Sequence, residues 1–413
     1  MRVLVLGSGG REHALAWRLA GSPGLTELHA APGNPGIATL ATCHPVAPDD
    51  ADGVLGLAGS LAVDLVVVGP EAPLVAGVAD TLRHAGIPVF GPSQAAARIE
   101  GSKRFAKDVM AAAGVPTAAL LDEPRAPCVL KADGLAAGKG VLVCRTDDEL
   151  AHGLETAGAF GGEVIVEELL EGREVSVLAL CDGLDALPLA PARDFKRAYD
   201  GDTGPNTGGM GSFSPVPEVD DGLLDELVGT CVRPTLAELS RRGTPFVGTL
   251  FAGLMLSAKG PQVLEYNCRF GDPETQSVLP LVDGDLLTAL AAAAAGSLAG
   301  VTLGRSDASA VTVVLTAGGY PETVDRGTPI QGIERAESHG ALVFHAGTAL
   351  GHGRLVTNGG RILGVTATGP SLAAARTSAY AAADEIVIPG SRRREDIALD
   401  AAGAPNPEAT RAG

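Results

Sequence analysis

Aromatic side chains and positive charge are both scarce in this chain of 413 residues. Only 3% of the residues are aromatic whereas 46% are apolar, so we expect aliphatic cores. The formal net charge is −18 at pH 7, and binding to a nucleic-acid backbone depends on an excess of Lys and Arg. The composition therefore argues against a nucleic-acid partner, and any anionic ligand would need a local group of cations.

Paired cysteines and long apolar runs are also missing. None of the six cysteines forms a Cys-x-x-Cys motif, and their apolar or strand-like surroundings are typical of reduced, buried thiols in a cytosolic protein. No apolar run reaches the ~20 residues of a membrane-spanning helix, and the N-terminal run is too short for a signal peptide. We therefore expect a cytoplasmic protein without a membrane partner, built from roughly two to four domains.

Lysine is so rare that its positions are informative. The six lysines are at positions 103, 107, 131, 139, 196 and 259, and five of them lie in glycine-rich or loop-adjacent segments. Ser102 is a favourable N-cap and Gly114 a favourable stop, which predicts a helix over residues 103–113. Lys103 then opposes the helix dipole by about 0.3–1 kcal/mol, a cost that a bound anion would offset. The alternative is that Lys103 and Lys107 are two solvated lysines on an exposed face.

Glycine is concentrated in the stretch VLKADGLAAGKGVLVC, residues 129–144. Gly138-Lys139 matches the centre of a P-loop, but Asp133 and Gly140 occupy positions where that motif requires Gly and Ser or Thr. Both flanks are strand-like apolar runs, so no helix follows. The stretch therefore predicts a glycine flap on a hairpin, which can close over phosphates, and excludes a P-loop.

Strands and helices alternate over the first hundred residues, and this pattern predicts a parallel, Rossmann-like sheet. The turn GSGGRE carries Glu12 where a dinucleotide fingerprint has its third glycine. A phosphate or sugar at the start of the following helix is therefore favoured over a dinucleotide. Strands dominate residues 117–185, and a long Gly/Asn/Thr/Pro tract follows within residues 186–215, where such a loop is more often functional than filler.

The strand VLEYNCRFGD combines three kinds of polar side chain. Side chains alternate between the two faces of a strand, so one face should carry a carboxylate, a carboxamide and a guanidinium, and the other should pack in a core. The first face comprises Val263, Glu265, Asn267 and Arg269, and the second comprises Leu264, Tyr266 and Cys268. The oxygens of Glu265 and Asn267 suit Mg²⁺, and Arg269 suits a developing phosphoryl or carboxylate charge. The alternative is an exposed, charged strand face.

Eight segments together resemble a known family. They are GSGGREHALAW, APGNPG, VGPEAPLVAGVAD, GPSQAAARIEGSKRFAKD, KADGLAAGKGV, DGDTGPNTGGMGSFSP, EYNCRFGDPETQ and VTNGGRILGVTA. In this order they resemble the phosphoribosylamine–glycine ligases of the ATP-grasp superfamily, over essentially the whole chain. The resemblance implies a multidomain α/β protein with an N-terminal Rossmann-like domain, an ATP-grasp core with an inserted β-rich lid, and a small α+β C-terminal domain. The expected bounds are 1–101, then 102–116 with 186–309, 117–185 and 310–400, with a disordered tail at 401–413.

The activity implied by the resemblance is ATP-dependent ligation of glycine to 5-phosphoribosylamine, through a glycyl phosphate, in de novo purine biosynthesis. Such an enzyme would use ATP with Mg²⁺ or Mn²⁺, and we expect a monomer whose partners are these small-molecule substrates. Three other functions stay open. One is a different ATP-grasp carboxylate–amine ligase, another is a catalytically impaired ATP-binding protein, and the third is a nicotinamide-dependent oxidoreductase that would rest on the weak GSGG turn alone.

The resemblance also implies roles for individual residues. For ATP, the implied residues are Lys103 and Lys131 at the phosphates, Gly134, Gly138, Lys139 and Gly140 in the flap, Glu167, Glu168 and Leu170 at adenine, and Glu174 at ribose. For the metal they are Glu265 and Asn267. For catalysis they are Lys131, Arg269 and Asp272. For the substrates they are Asp272 and the amides of Asn206, Thr207, Gly208 and Gly209 at glycine and the acyl phosphate, and Gly7, Gly9, Gly10 and Glu71 at the phosphosugar.

The chain departs from the family pattern at a few places. It is shorter between Val115 and Lys131 and around the segment ETAGAFGGEVIVEE, and both cuts fall in the expected lid. Flap closure and the adenine pocket are therefore the parts that these cuts affect. Phe195 stands in the segment DFKR where many relatives have His, and Asp194 and Lys196 beside it are retained.

Overall fold

The N-terminal unit is a five-stranded parallel sheet flanked by helices. A computed structural model describes residues 1–134, 140–158 and 162–403 of the chain. The strands are β1 (Arg2–Gly7), β2 (Glu27–Pro32), β3 (Thr42–Cys43), β4 (Leu65–Val68) and β5 (Val89–Phe90), and the helices are α1 (Gly10–Ala20), α2 (Ala51–Leu61), α3 (Glu71–Val75), α4 (Val78–His84) and α5 (Gln94–Gly101). The strand order is β3-β2-β1-β4-β5. Burial of the aliphatic strands β1 and β4 is nearly complete, which confirms the expected Rossmann-like sheet.

The next helix, α6 (Lys103–Ala113), has the predicted bounds. The Ser102 hydroxyl accepts a hydrogen bond from the Phe105 amide at 3.2 Å. Gly114 ends the helix in the left-handed conformation with φ +67°. The two signals read from the sequence therefore act as the caps of this helix.

A small antiparallel sheet follows and corresponds to the predicted lid. Its elements are β6 (Cys128–Ala132), β7 (Val141–Cys144), α7 (Asp147–Gly158) and β8 (Val164–Glu168), and the strand order is β7-β6-β8. β6 and β7 form the two sides of a hairpin, as predicted for the glycine flap. The flap predictions for Gly138 and Lys139 lie outside the described residues.

The central region contains an antiparallel sheet and several helices. Its strands are β9 (Arg173–Asp182), β10 (Ala186–Pro188), β11 (Arg193–Asp194), β12 (Arg197–Tyr199), β13 (Thr203–Asn206), β14 (Gly211–Ser214), β15 (Val247–Ser257), β16 (Gly260–Asn267), β17 (Val282–Asp283) and β18 (Gly304–Arg305), and its helices are α8 (Asp221–Leu227), α9 (Arg233–Arg241), α10 (Glu274–Val278) and α11 (Leu286–Ala294). Four strands pair in the order β10-β9-β15-β16. The sequence assigned residues 173–182 to the lid, but in the structure β9 pairs with β15 of the core. This difference arises because the boundary between lid and core depends on which strands pair. The order of residues in the sequence does not show that pairing.

The C-terminal region adds a second antiparallel sheet. Its elements are β19 (Ser309–Thr316), β20 (Asp325–Pro329), α12 (Ile333–Ser338), β21 (Leu342–His345), β22 (Thr348–Gly351), β23 (Arg354–Gly359), β24 (Arg361–Gly369) and α13 (Leu372–Asp384). The large sheet has the order β11-β14-β19-β24-β21, and a small one has the order β20-β23-β22. Strands β11 and β14 come from the range predicted for the core, so the core and the C-terminal domain share one sheet.

The end of the described chain corrects one prediction. Residues 401–403 form a hydrogen-bonded turn in which the Ala402 amide donates to the Ala398 carbonyl at 3.0 Å, and Ala401 and Ala402 pack on the main core. The expected disordered tail at 401–413 is therefore wrong for its first three residues, because small apolar side chains there find a surface to cover. The rest of that prediction, 404–413, lies outside the described residues.

Two expectations about composition can be compared with the fold. The six cysteines are all free. Five of them are buried, as predicted, and Cys43 is only half-buried. No helix in the described ranges is both long and apolar enough to cross a membrane.

Candidate active site

A cavity of about 1490 Å³ lies where the lid, the core sheet and the C-terminal segments meet. Most of the residues implied by the resemblance line it: Glu71, Lys103, Lys131, Gly134, Glu167, Glu168, Leu170, Glu174, Asn206, Thr207, Gly208, Glu265, Asn267, Arg269 and Asp272. Gly7, Gly9, Gly10, Gly140 and Gly209 are not among the lining residues. The fold thus brings residues from widely separated segments to one concave surface.

The strand that carries Glu265 and Asn267, β16, lines the cavity. It pairs with β15 in a register that the sequence did not predict. In the pairing of β15 with β16, Gly253 lies opposite Glu265 and Leu254 lies opposite Val263, so Leu264 is an extra, unpaired residue. Val263 consequently joins the core cluster with Tyr266 and Cys268, while Leu264 lines the cavity. The predicted positions of Val263 and Leu264 were therefore wrong, and those of Glu265 and Asn267 on the cavity side hold.

Glu265 and Asn267 present oxygen atoms that fit a divalent cation. No side chain of the described ranges forms a hydrogen bond or ion pair with the Glu265 carboxylate, which faces the cavity. Asn267 Oδ1 accepts one hydrogen bond, from Arg269 at 3.1 Å, and keeps a second lone pair. Within the described part of the chain no group of three or more His, Cys, Asp or Glu could hold a metal. The pair therefore suits a cation such as Mg²⁺ that takes its other ligands from water and phosphate.

Arg269 is held by two carboxylates from the N-terminal unit. Its Nε lies 3.2 Å from Glu71 Oε2, and one terminal nitrogen lies 3.3 Å from Glu100 Oε1. Burial lowers the pKa of Arg269, but Glu100 and Glu71 outweigh it and raise the pKa above its ordinary value. Burial also acts to raise the pKa of Glu71, but Arg269 and Arg11 outweigh it and leave the pKa lowered. Arg269 is thus a fixed positive charge at the end of β16.

Lys131 belongs to a buried chain of three charged groups. Its Nζ lies 2.8 Å from Glu167 Oε2 and donates to the Leu264 carbonyl at 2.8 Å. The other oxygen of Glu167 lies 3.1 Å from Lys107 Nζ. Glu167 lines the cavity, but both of its oxygens are engaged by lysines. The hypothesis of a solvated Lys107 is wrong, because Lys107 is 5% exposed and also donates to the Ala118 carbonyl at 2.7 Å.

Lys103 lies at the mouth of the flap hairpin. Its Nζ donates to the Gly134 carbonyl at 2.9 Å, and its amide donates to Asp133 Oδ1 at 2.6 Å. Asp133 thus supplies an anion at the start of α6, which offsets the unfavourable interaction of Lys103 with the helix dipole. Burial lowers the pKa of Lys103, and Glu265 acts in the opposite direction. Lys103 and Glu265 both line the cavity.

One further cation in the cavity wall, Lys196, was not assigned a role from the sequence. Its Nζ lies 3.0 Å from Glu174 Oε2 and 3.8 Å from Asp194 Oδ1. Burial raises the pKa of Asp194 to about 7, with Lys196 acting against the shift and Glu274 with it. The only sign of Lys196 in the sequence was its place beside Asp194 in the segment DFKR. Glu174, the residue implied at the ribose, is thus ion-paired to Lys196.

Asp272 lines the inner end of the cavity and is held there by Arg361 and Gln276. Its Oδ2 lies 2.8 Å from an Arg361 nitrogen, and its Oδ1 accepts a hydrogen bond from Gln276 at 2.7 Å. Burial acts to raise the pKa of Asp272, but Arg361 and Arg11 outweigh it and hold the pKa below its usual range. Arg361 also donates to the Gly208 carbonyl. Sequence reasoning missed Arg361, although it lies in the segment VTNGGRILGVTA.

The Gly7–Gly10 turn approaches this inner end from the N-terminal unit. A Cβ atom on Gly9 would lie 3.6 Å from Asp272 Oδ2, and one on Gly10 would lie 2.6 Å from Gln276 Nε2. The Gly9 amide donates to Glu12 Oε2 at 2.6 Å. A side chain at position 10 would therefore have to displace the Gln276 carboxamide, which donates to Asp272. The turn lies beside Asp272, while the cavity itself is lined by other residues.

Comparison with known proteins places the chain in a family. Three models of phosphoribosylglycinamide synthetase match it: the N domain at residues 1–100, the ATP-grasp (A) domain at 101–275 and the C domain at 310–400. The phosphoribosylamine–glycine ligase of Streptomyces coelicolor is 53% identical, over 98% of this chain and 100% of that protein. The chain belongs to this family. The ligase of Mesorhizobium japonicum is 50% identical, over 97% of this chain and 98% of that protein.

Solved structures agree with this membership. The crystal structure of phosphoribosylamine–glycine ligase from Thermotoga maritima has a TM-score of 0.83 at 35% identity and covers 96% of this chain and 100% of that chain. The biotin carboxylase domain of Hydrogenobacter thermophilus 2-oxoglutarate carboxylase has a TM-score of 0.69 at 18% identity, over 95% of this chain and 91% of that chain, which shows a shared fold. The predicted family, multidomain α/β fold and ATP-dependent ligase class are confirmed. The domain bounds and the roles of individual residues stay predictions.

Proposed function

We propose that the chain ligates glycine to 5-phosphoribosylamine and cleaves ATP to ADP and phosphate, as a step of de novo purine biosynthesis. The observation that carries the proposal is the composition of the cavity wall. Glu265 and Asn267 project from β16, and Arg269 from the residues just after it, into a cavity that Lys103 and Lys131 also line. Family membership and the near-complete coverage of the ligase relatives support the same substrates.

The nucleotide phosphates fit between the two lysines and the polar strand. Lys103 and Lys131 neutralise phosphate oxygens beside Gly134. A divalent cation bound by Glu265 and Asn267 would neutralise the remaining phosphate charge. We propose Mg²⁺ or Mn²⁺ for this site because both of the side chains offer hard oxygen ligands. Glu168 and Leu170 line the end of the cavity proposed for adenine, with Glu174 at the ribose.

The chemistry proceeds in two steps that need no covalent attachment to the protein. The glycine carboxylate attacks the γ-phosphate, giving glycyl phosphate and ADP, because a free carboxylate is a poor acyl donor. The amine of 5-phosphoribosylamine then displaces phosphate from the activated carbonyl. Arg269 stabilises the charge of the transferred group, and Asp272 with the Asn206–Gly209 amides holds glycine and the acyl phosphate. The protein contributes mainly position and electrostatic stabilisation.

The phosphosugar is proposed to bind between Glu71 and the Gly7–Gly10 turn. The start of α1 offers amide groups, which suit a phosphate. Glu71 lines the cavity and is fixed by Arg269, so it lies at the boundary between the sugar and the reacting groups. We further propose that the protein acts as a monomer in the cytoplasm and binds neither nucleic acid nor membrane, in keeping with the net charge of −18.

The decisive experiment is ADP release by the purified protein with ATP and Mg²⁺. Glycine and phosphoribosylamine, the latter generated from ribose 5-phosphate and ammonia, would be added singly and together. ADP formation that requires both substrates is the expected result. ADP formation with a different carboxylate and amine would retain the ligase class and overturn the substrates. ATP binding without any turnover would contradict the proposal and favour an impaired, ATP-binding protein.

A further inference from the structure

A buried arginine near the end of the described chain contacts the loop that enters the cavity. Arg394 follows α13, is 1% exposed and touches the cavity wall. Arginine is almost never fully buried unless its charge is paired. The groups that pair with Arg394 therefore indicate what its position achieves.

Arg394 contacts Phe195, the first strand and the turn of the β12–β13 hairpin, and residues of its own segment. Its Nε and one terminal nitrogen form a two-pronged pair with Asp396 at 2.7 and 2.6 Å. The other terminal nitrogen donates to Asp202 Oδ1 at 2.7 Å and to the Arg197 carbonyl at 3.1 Å. The guanidinium carbon lies 4.9 Å from the centre of the Phe195 ring. One planar group thus fixes Phe195 and two points of the hairpin, which the fork geometry of arginine allows and lysine does not.

Further contacts join the two segments. The Gly201 amide donates to Asp396 Oδ2 at 2.9 Å, and the Glu395 amide donates to Asp200 Oδ1 at 2.8 Å. Asp202 has φ +53°, a left-handed conformation that is disfavoured for residues other than glycine. The segment around Arg394 thus adds contacts to a turn that contains one left-handed residue.

The hairpin leads directly into the substrate loop. The amide and the hydroxyl of Thr207 both donate to the Lys196 carbonyl, each at 2.8 Å. Lys196 lies between Phe195 and Arg197, both of which Arg394 contacts. Any displacement of this hairpin would consequently move the Lys196 ammonium and Thr207 together.

We propose that Arg394 is a positioning residue which, through Phe195, Arg197 and Asp202, sets the place of Lys196 and of the Asn206–Gly209 loop in the cavity. Its catalytic consequence rests on the proposed function, because this loop is the one proposed to face glycine and the acyl phosphate. Lys103 and Lys131, proposed for the phosphates, lie on other elements. The role therefore affects glycine use more than ATP binding, which it reaches only through the ion pair of Lys196 with Glu174.

The test uses Arg394→Met and Arg394→Lys in the full chain. For the Met variant, kcat/KM for glycine should fall about 10- to 100-fold, because a misplacement of about 1 Å can cost that much. The dissociation constant for ATP, measured by calorimetry without the other substrates, should rise by a clearly smaller factor, because only the Lys196–Glu174 pair connects the hairpin to the nucleotide. Hydrogen exchange at the Thr207 amide should be faster. The Lys variant, which keeps the charge and loses the fork, should lie between wild type and the Met variant.

A matched control is Arg393→Met, because Arg393 pairs with Asp384 and Glu395 and makes none of the hairpin contacts. It should leave glycine kinetics and Thr207 exchange at the wild-type values. Equal losses for ATP and glycine, or unchanged exchange at Thr207 in Arg394→Met, would overturn the proposal. If Arg394→Met does not fold, Asp202→Asn removes a single partner and should shift the same quantities in the same direction, and no shift would overturn it.

Wild-type protein without ligase activity would refute the proposed function on its own. The exchange and ATP-binding measurements would still decide whether Arg394 positions the loop, because neither depends on turnover.

Discussion

Glu265→Gln should separate metal-dependent catalysis from folding. The carboxylate forms no hydrogen bond or ion pair within the described ranges, so the isosteric amide breaks no contact seen there. Substitutions that break no contact usually change the free energy of unfolding by less than about 0.5 kcal/mol. The thermal midpoint should therefore stay within about 2 °C of the wild-type value.

The effect on the metal can be estimated from Coulomb's law. A carboxylate oxygen about 2.1 Å from a divalent cation attracts it by about 4 kcal/mol, even with the dielectric constant of bulk water. The amide oxygen of glutamine remains a neutral ligand, and if it recovers about half of this energy, about 2 kcal/mol is lost. We therefore expect the Mg²⁺ concentration for half-maximal ADP release to rise by about 30-fold.

The assay is ADP release as a function of free Mg²⁺, with ATP, glycine and phosphoribosylamine held constant. Glu163→Gln is the matched control, because Glu163 is an exposed carboxylate whose ion pair is with Arg104 at the surface. The control should leave the metal dependence unchanged. Near-wild-type ADP release with an unchanged Mg²⁺ requirement in Glu265→Gln would remove Glu265 from the ligand set and refute the reasoning.

Three other substitutions give distinct outcomes. Lys131→Ala should weaken ATP binding by about 10- to 100-fold, because a charge-assisted contact is lost, and should affect glycine use less. Equal losses of ATP affinity, measured by calorimetry, and of glycine use, measured by kinetics, would indicate misfolding instead. Lys107→Met should lower the free energy of unfolding in urea by about 3 kcal/mol because it breaks a buried pair with Glu167, and a loss below about 1 kcal/mol would contradict this. The raised pKa of Asp194, about 7, means that its contribution to stability is present below pH 4 and is lost as the pH rises through 7. Asp194→Asn should therefore flatten the fall in stability between about pH 4 and 7. Urea unfolding curves whose stability keeps the wild-type slope against pH would argue against this burial effect.

Local signals in the sequence predicted the elements that depend on local chemistry. Ser102 and Gly114 gave the bounds of α6 because a cap acts within one turn of its own residue. The glycine-rich stretch gave the hairpin of β6 and β7, and the row of Glu265, Asn267 and Arg269 gave a wall of the cavity.

Features that depend on a distant partner could not be predicted in this way. The bulge at Leu264 exists because β16 pairs with β15, and it reverses the faces of Val263 and Leu264. The burial of Lys107 requires Glu167, which is sixty residues away in the chain. Arg361 and Arg394 reach the cavity from the C-terminal region, and no local pattern marks which of the chain's arginines will do so.

The sheet shared by the core and the C-terminal region has a consequence for dividing the chain. β14 pairs with β19 from Gly211–Val313 to Ser214–Ala310, so each of the two strands covers an edge of the other. A break in the connection between α11 and β19 would leave both fragments with an open edge and exposed apolar side chains such as Phe213 and Val311. Neither fragment is then a self-sufficient folding unit, and two fragments made separately would have to restore this pairing in order to restore the cavity. The chain therefore folds and works as one piece in this region, although family models divide it into three.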